Sequence, residues 1–205
     1  MPSKFRLRYL FKPLVNLIAK GLIRIRITPN VATIIMLCFS ILSFFTLGFF
    51  RSLLYFSIFV FITGIMDGCD GAIARLTNSS TKFGGFFDSF MDRSSEFFIF
   101  LGLYFYTQNQ YLWNFIDMKL IILISFSASI MISYTRARAE VFFRGDFDVG
   151  LMARSERLFY LVIISLISLF YNLFNFFLFI FMLLVLGTFV YRLINIYYKI
   201  KKKNN

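Results

Sequence analysis

The sequence has no histidine and only two cysteines, Cys38 and Cys69, among its 205 residues. The absence of imidazole excludes His-based zinc sites and Ser-His-Asp triads. Both cysteines lie inside apolar segments, so we interpret them as packing residues and predict no disulfide framework. Chemistry in this chain is therefore limited to carboxylates, lysine, arginine, hydroxyls and thiols.

Charge is also scarce. Charged residues make up 16% of the chain and hydrophobic residues 59%, with 31 Phe, whereas a soluble domain carries roughly 25% charge. Such a chain cannot cover itself with polar surface in water, so we predict an integral membrane protein. Its net charge of +12 comes from basic residues that flank apolar runs. This pattern favours anionic lipid headgroups and phosphate substrates as partners, rather than nucleic acid.

The predicted fold class is all-α integral membrane, with six transmembrane helices after an N-terminal amphipathic surface helix. A bilayer core takes roughly 20 apolar residues per helix, and the candidate spans cover residues 31–50, 53–75, 83–106, 120–143, 157–171 and 174–198. We predict a single domain over residues 1–205, in which 1–28 form the amphipathic helix, 29–200 the six-helix bundle and 201–205 a basic tail. Residues 107–118 are interpreted as an ordinary polar loop.

The basic residues are distributed unequally between the two sides of this bundle. Six spans place all 22 Lys and Arg residues on one side except Arg51 and Lys119. By the positive-inside rule, we predict a multi-pass protein of the cell membrane with both termini in the cytoplasm. The active site is expected to face the same side.

Four aspartates form the most informative pattern. Asp67 and Asp70 are three residues apart and Asp88 and Asp92 four apart, so each pair shares one helix face. The link between the second and third spans lets these helices run antiparallel, so the four carboxylates are expected to converge near the cytoplasmic end of the helix pair. Unpaired, each would cost about 2.5–3.5 kcal/mol in a membrane. Two divalent cations would offset this cost; the alternative is an ion-pair network that only fixes helix packing.

The same aspartates belong to a longer pattern. It reads Asp67-x2-Asp70-Gly71-x2-Ala74-Arg75-x8-Gly84-x3-Asp88-x3-Asp92. This spacing resembles the signature of the CDP-alcohol phosphotransferases, and six spans after a surface helix are similar too. The resemblance implies that a hydroxyl attacks the β-phosphorus of a CDP-lipid and displaces CMP in a single step. It further implies two ions, Mg²⁺ or Mn²⁺, held by Asp67, Asp70, Asp88 and Asp92, with Asp92 as the general base, and a homodimer.

The resemblance also implies a binding surface for the CDP-lipid. The matching positions are Asn30, Val31, Ala32, Thr33, Asp67, Asp70, Gly71, Ala74, Arg75, Thr81 and Gly84. A helix that begins after Pro29 offers N–H donors to a phosphate. Gly71 and Gly84 would let a ligand approach the backbone, although small residues also serve tight helix packing in membranes.

Arginines on the cytoplasmic side indicate an acceptor that itself bears phosphate. The candidates are Arg136, Arg138, Arg154, Arg157 and Arg192. Guanidinium groups that face one cavity repel one another unless an anion lies among them. The alternative is that these residues serve the positive-inside rule alone.

The segments 133–140 and 153–157 resemble those of phosphatidylinositol-phosphate and archaetidylinositol-phosphate synthases, which implies inositol 1-phosphate as the acceptor. In two places the sequence departs from that branch: Arg136 replaces a common Lys, and Ala153-Arg154-Ser155 replaces Glu-Arg-Pro. Glycerol 3-phosphate and serine remain alternative acceptors, and the lipid can be a diacylglycerol or an archaeal ether lipid. A transporter is the alternative from another class, but the chain shows no related halves. A membrane anchor with an inactive site would not need the intact signature.

Overall fold

A computed structural model describes residues 7–142 and 147–204, which are almost entirely helical. The helices are α1 (Leu7–Leu10), α2 (Lys12–Arg24), α3 (Pro29–Gly48), α4 (Leu53–Leu76), α5 (Lys82–Tyr106), α6 (Met118–Phe142), α7 (Arg154–Ile167) and α8 (Phe174–Asn204). Two short strands, β1 (Tyr111–Leu112) and β2 (Ile116–Asp117), lie between α5 and α6. Three stretches that the predictions cover lie outside the described residues: 1–6 of the predicted amphipathic helix, 143–146 at the end of the predicted fourth span and just after it, and Asn205 of the predicted tail.

Hydroxyl side chains fix the first turn of three helices. Thr28 caps α3, Ser52 caps α4 and Thr81 caps α5, each by accepting a hydrogen bond from the backbone N–H three residues later. Such caps satisfy N–H groups that have no partner within the helix. They therefore set where each long helix begins, and with it the face on which later side chains lie.

Four of the described helices are long and apolar enough to cross a membrane: α3, α4, α6 and α8. The chain is thus a multi-pass membrane protein by length and composition, as predicted, but six spans are not confirmed. The predicted third span, α5, has 25 residues but includes five charged ones. The predicted fifth span, α7, has only 14 residues and is about 21 Å long, against about 30 Å for a bilayer core.

Helix α3 lies at the centre of the half of the molecule that contains the aspartates. It packs along both α4 and α5, whereas α4 and α5 touch each other only slightly. The two helices that carry the aspartates therefore meet mainly through α3 rather than by direct packing. The physical reason is that the buried face of α3, with Ala32 and Met36, fills the space between the two helices.

Helix α2 packs against α4. Ala19 is fully buried, and the side chain of Val15 lies so close to Gly68 that a Cβ added there would stand 3.1 Å from it. The opposite face of α2 leaves Leu17 exposed. A break at Phe11 separates α1 from α2, and Pro13 stands in the first turn of α2, where its missing N–H costs nothing.

Two other segments differ from prediction. The interval 107–118 is not an ordinary polar loop, because β1 and β2 pair there as an antiparallel hairpin. Trp113 and Asn114 in its turn both have positive φ angles. Helix α8 continues to Asn204, so the residues predicted as a basic tail extend a helix as far as the structure describes them.

Candidate active site

Three aspartates from two helices gather at one point. Asp67 of α4 and Asp88 and Asp92 of α5 each offer a carboxylate oxygen, and these oxygens lie within 4.8 Å of one another. Among the described residues, Asp88 Oδ1 is buried without a hydrogen-bond partner. A buried anionic oxygen with no donor is costly, and a hard divalent cation would satisfy it. The three aspartates therefore fit a divalent metal ion.

The fourth predicted ligand, Asp70, faces α3 instead. Its Oδ2 accepts a hydrogen bond of 2.9 Å from Thr33 Oγ1, and its Oδ1 accepts one from the backbone N–H of Gly71. These two donors satisfy the carboxylate where it lies. Asp70 thus stands beside the group of three rather than within it, and its role as a metal ligand stays a prediction.

Arg154 contacts the aspartate cluster directly. It is the first residue of α7, and its Nη1 donates to both Asp67 and Asp92 while its Nη2 donates to Ser95 Oγ at 2.6 Å. Sequence reasoning assigned Arg154 only to the acceptor phosphate. The structure shows in addition that this cation partly neutralises the carboxylates.

A cavity of about 570 Å³ opens on one side of the cluster, between the start of α3, the end of α4 and the start of α5. It brings together most of the positions predicted to contact the CDP-lipid: Asn30, Thr33, Asp70, Gly71, Ala74, Arg75, Thr81 and Gly84. Three others do not line it. Val31 is exposed elsewhere, Ala32 is buried in the core, and Asp67 lines a neighbouring cavity of about 670 Å³.

The two glycines predicted to admit a ligand have close neighbours. A Cβ at Gly84 would stand 3.0 Å from Thr81 Oγ1, the cap of α5, and a Cβ at Gly71 would stand 3.1 Å from Arg75 Nη1. A side chain at either position would therefore press on a polar group of this cavity. Sequence reasoning missed Arg26, Thr77, Ser79 and Ser80, which also line it.

A third cavity, of about 350 Å³, also opens at the cluster, where it is lined by Asp88, Asp92 and Arg154. Four of the five predicted acceptor-binding arginines line this cavity: Arg136, Arg154, Arg157 and Arg192. Arg138 is exposed instead, and its guanidinium lies 4.5 Å from the centre of the Phe142 ring. The expected grouping of five arginines is therefore reduced to four.

Carboxylates of the protein itself accompany these arginines. Arg157 Nη2 lies 2.7 Å from Glu96, Arg192 Nη2 lies 3.3 Å from Asp148, and Arg136 pairs with both Glu140 and Asp148. Sequence reasoning did not pair these acids with the arginines: it interpreted the arginines as facing an anionic acceptor, with the positive-inside rule as the alternative. Glu96 already neutralises Arg157, which is fully buried and also donates to the carbonyl of Met152 at 2.9 Å, so the charge of Arg157 does not by itself call for an external anion.

Comparison with known proteins assigns this arrangement. The sequence profile of the CDP-alcohol phosphatidyltransferases matches residues 26–193. The chain belongs to this family. A similar relative is the archaetidylinositol phosphate synthase of Pyrococcus horikoshii, 33% identical over 151 residues, which are 74% of this chain and 76% of that protein. Another is the phosphatidylinositol phosphate synthase of Mycobacterium tuberculosis, 35% identical over 157 residues, 75% of this chain and 70% of that protein.

Two crystal structures of the M. tuberculosis phosphatidylinositol phosphate synthase share the fold of this phosphatidyltransferase. The one with CDP-DAG bound aligns with a TM-score of 0.77 and 28% identity, over 90% of this chain and 94% of that one. The one in complex with manganese and citrate has the same TM-score and 29% identity, over 89% and 88%. This chain is thus a membrane transferase of phospholipid biosynthesis, in a family that uses divalent metal.

The buried pair of Glu96 and Arg157 makes a testable contribution to the stability of this phosphatidyltransferase. Both side chains are at most 2% exposed, so Glu96→Gln leaves a buried guanidinium without its counterion. We expect the free energy of unfolding to fall by about 3–5 kcal/mol, measured by denaturation in detergent. Glu140→Gln is the control, because its pair with Arg136 is about 40% exposed and should contribute less than about 1 kcal/mol. Equal losses in the two variants would contradict the prediction.

Proposed function

We propose that this enzyme transfers the phosphatidyl or archaetidyl group of a CDP-lipid to a hydroxyl of inositol 1-phosphate and releases CMP. The observation that supports this most is the pair of cavities that meet at the aspartate cluster. One is lined by the signature residues and the other by arginines, and both include Asp88. A nucleotide-linked lipid in one cavity and a phosphorylated acceptor in the other would therefore meet at Asp88.

The cavity of 350 Å³ is suited to an anionic acceptor once the carboxylates have bound metal. It is lined by five arginines and five acidic residues, but Asp88 and Asp92 belong to the proposed metal ligands. The other charged lining residues, five arginines and three acids, then carry a net positive charge. This charge favours a phosphate monoester over a neutral alcohol. The names of the relatives, archaetidylinositol and phosphatidylinositol phosphate synthase, support inositol phosphate in particular.

We propose that two ions, Mg²⁺ or Mn²⁺, are held by Asp67, Asp70, Asp88 and Asp92. Bound metal would neutralise the charge that develops on the departing CMP. Asp92 lines both the cavity of about 350 Å³, which we call the arginine cavity, and the cavity of about 670 Å³. It therefore lies where the acceptor hydroxyl would enter. We assign Asp92 as the base that takes the hydroxyl proton as attack proceeds. Arg154 donates a hydrogen bond to Asp92 and so keeps that carboxylate oriented towards the point where the two cavities meet.

For the membrane topology we propose six crossings with both termini in the cytoplasm. The charged start of α5 and the short helix α7 both lie at the aspartate cluster, where a cleft open to the cytoplasm would shorten the membrane path. We assign α2 to the cytoplasmic membrane surface, since its exposed side carries apolar and basic residues together: Leu14, Leu17, Lys20 and Arg24. We also propose a homodimer through the exposed apolar residues of α5 and α6, such as Phe97 and Leu123.

A panel of acceptors tests the function. Purified enzyme in detergent, supplied with CDP-lipid and Mg²⁺ or Mn²⁺, should release CMP with inositol 1-phosphate at least about 100-fold more efficiently than with free inositol. Two hydrogen bonds to a charged group are each worth about 1.5–3 kcal/mol, which corresponds to that factor or more. Glycerol 3-phosphate and serine complete the panel. Should glycerol 3-phosphate react and inositol 1-phosphate not, the assignment of the acceptor fails while that of the reaction stands.

A further inference from the structure

The hairpin of β1 and β2 presents three aromatic side chains outward. Tyr111 and Trp113 are each 55% exposed and Phe115 is 73% exposed, and the Trp113 and Phe115 rings stack with their centres 6.3 Å apart. The hairpin follows the end of α5, whereas Asp88 lies near the start of that helix. The aromatic group thus lies at the opposite end of α5 from the aspartate cluster.

Covalent connection places this hairpin at a membrane boundary. Strand β2 ends at Asp117, and α6, one of the four helices able to span a membrane, begins at the next residue, Met118. Trp113 also makes an edge contact of 5.4 Å with Phe179. Phe179 is the sixth residue of α8, a second such helix, and lies about 7.5 Å along it at about 1.5 Å per residue. Trp113 is therefore level with the second turn of α8 and lies five residues before the start of α6.

The hairpin has little charge and is rich in aromatic residues, a composition that suits the boundary between lipid headgroups and acyl chains. From Thr107 to Asp117 the only charged residue is Asp117, whose Oδ1 accepts a hydrogen bond from the backbone N–H of Lys119. The hairpin itself therefore carries no basic residue with which to bind an anionic polymer. Tyr and Trp, with an apolar ring and one polar atom each, concentrate where acyl chains meet headgroups.

From these observations we propose that Tyr111, Trp113 and Phe115 bind the headgroup–acyl boundary of the leaflet opposite the active site. The partner is the phospholipid bilayer itself. A hairpin with strands of only two residues is marginal in water, so lipid contact also stabilises it. By holding the ends of α5 and α6 at one depth, this contact fixes the level of the aspartate cluster on the other side.

The chain has a single tryptophan, so the intrinsic fluorescence of the wild-type enzyme tests the proposal without any substitution. The enzyme is reconstituted into phosphatidylcholine vesicles that contain lipid brominated either near the headgroup or near the chain end. We expect the shallow bromines to quench Trp113 at least twofold more than the deep ones, with little quenching by iodide. Strong iodide quenching would overturn the proposal, as would stronger quenching by deep bromines. Protection from every quencher would also overturn it, because a protein surface would then cover Trp113.

A variant identifies the residues that hold the hairpin in lipid. Replacing Tyr111 and Phe115 together with Ser should reduce quenching by shallow bromines at least twofold and increase quenching by iodide. Gln108→Ser, an exposed polar position before the hairpin, is the matched control and should leave both unchanged. If Trp113 is quenched in the double variant as it is in the wild type, Trp113 alone contacts the lipid and the proposed role of Tyr111 and Phe115 is wrong.

Discussion

Asp88→Asn is expected to reduce the rate of CMP release about 10³-fold or more. Its carboxylate is one of the three whose oxygens lie within 4.8 Å of one another, and Oδ1 is the buried oxygen left without a donor. An amide at this position removes a charge that a divalent ion requires. Loss of a preorganised electrostatic group costs about 10²–10³ in rate, and loss of metal adds to this.

The measurement is CMP release from CDP-lipid, together with binding of Mn²⁺ followed by its electron paramagnetic resonance signal. Both should fall in the Asp88 variant. Asp117→Asn is the matched control, because Asp117 belongs to the hairpin at the other end of α5 and should leave both values unchanged. An Asp88→Asn enzyme that binds Mn²⁺ as tightly as the wild type would exclude Asp88 as a ligand.

Much of the fold is accessible from sequence because the signals are local. Helix starts follow from Thr28, Ser52 and Thr81, whose hydroxyls cap the next turn. Apolar runs identify the spans, and the predicted start of α4 agrees with the structure at Leu53. The signal is weaker for α5 and α7, which are apolar over only part of the length that a bilayer requires.

The gathering of Asp67, Asp88 and Asp92 also follows largely from spacing. Residues 88 and 92 share a helix face by geometry alone. The position of Asp67 beside them depends on α3, which packs against both α4 and α5. The choice of a central helix is decided by packing among residues far apart in sequence, which a spacing pattern does not encode.

Ion pairs between distant segments were the least predictable part of the site. Glu96 and Arg157 are 61 residues apart, and Asp148 and Arg192 are 44 apart. One signal was available: Glu96 follows Asp92 by one helical turn, so it was bound to lie near the cluster. Its partner could not be chosen among several arginines without knowing that α7 begins at Arg154.

Arg154 is the residue for which the structure changes the expectation most. Because its guanidinium contacts Asp67 and Asp92, it occupies the space and neutralises the negative charge that a divalent ion would need. Arg154→Gln should therefore strengthen Mn²⁺ binding at least about tenfold, since a unit charge about 4 Å away is worth several kcal/mol before screening. If Mn²⁺ binding weakens or stays the same, Arg154 does not compete with the metal.

The same substitution should impair use of the acceptor. Arg154 also lines the arginine cavity. We therefore expect Arg154→Gln to lower kcat/KM for inositol 1-phosphate about 10²-fold or more, because charge-assisted hydrogen bonds to phosphate are worth about 1.5–3 kcal/mol each. The KM for CDP-lipid should change little. Arg138→Gln is the discriminating control. Sequence pattern groups both arginines with the acceptor, but Arg138 stacks on Phe142 outside the cavity and should leave kcat/KM within about threefold, a difference worth under 1 kcal/mol. Equal losses in the two variants would mean that the cavity does not bind the acceptor phosphate.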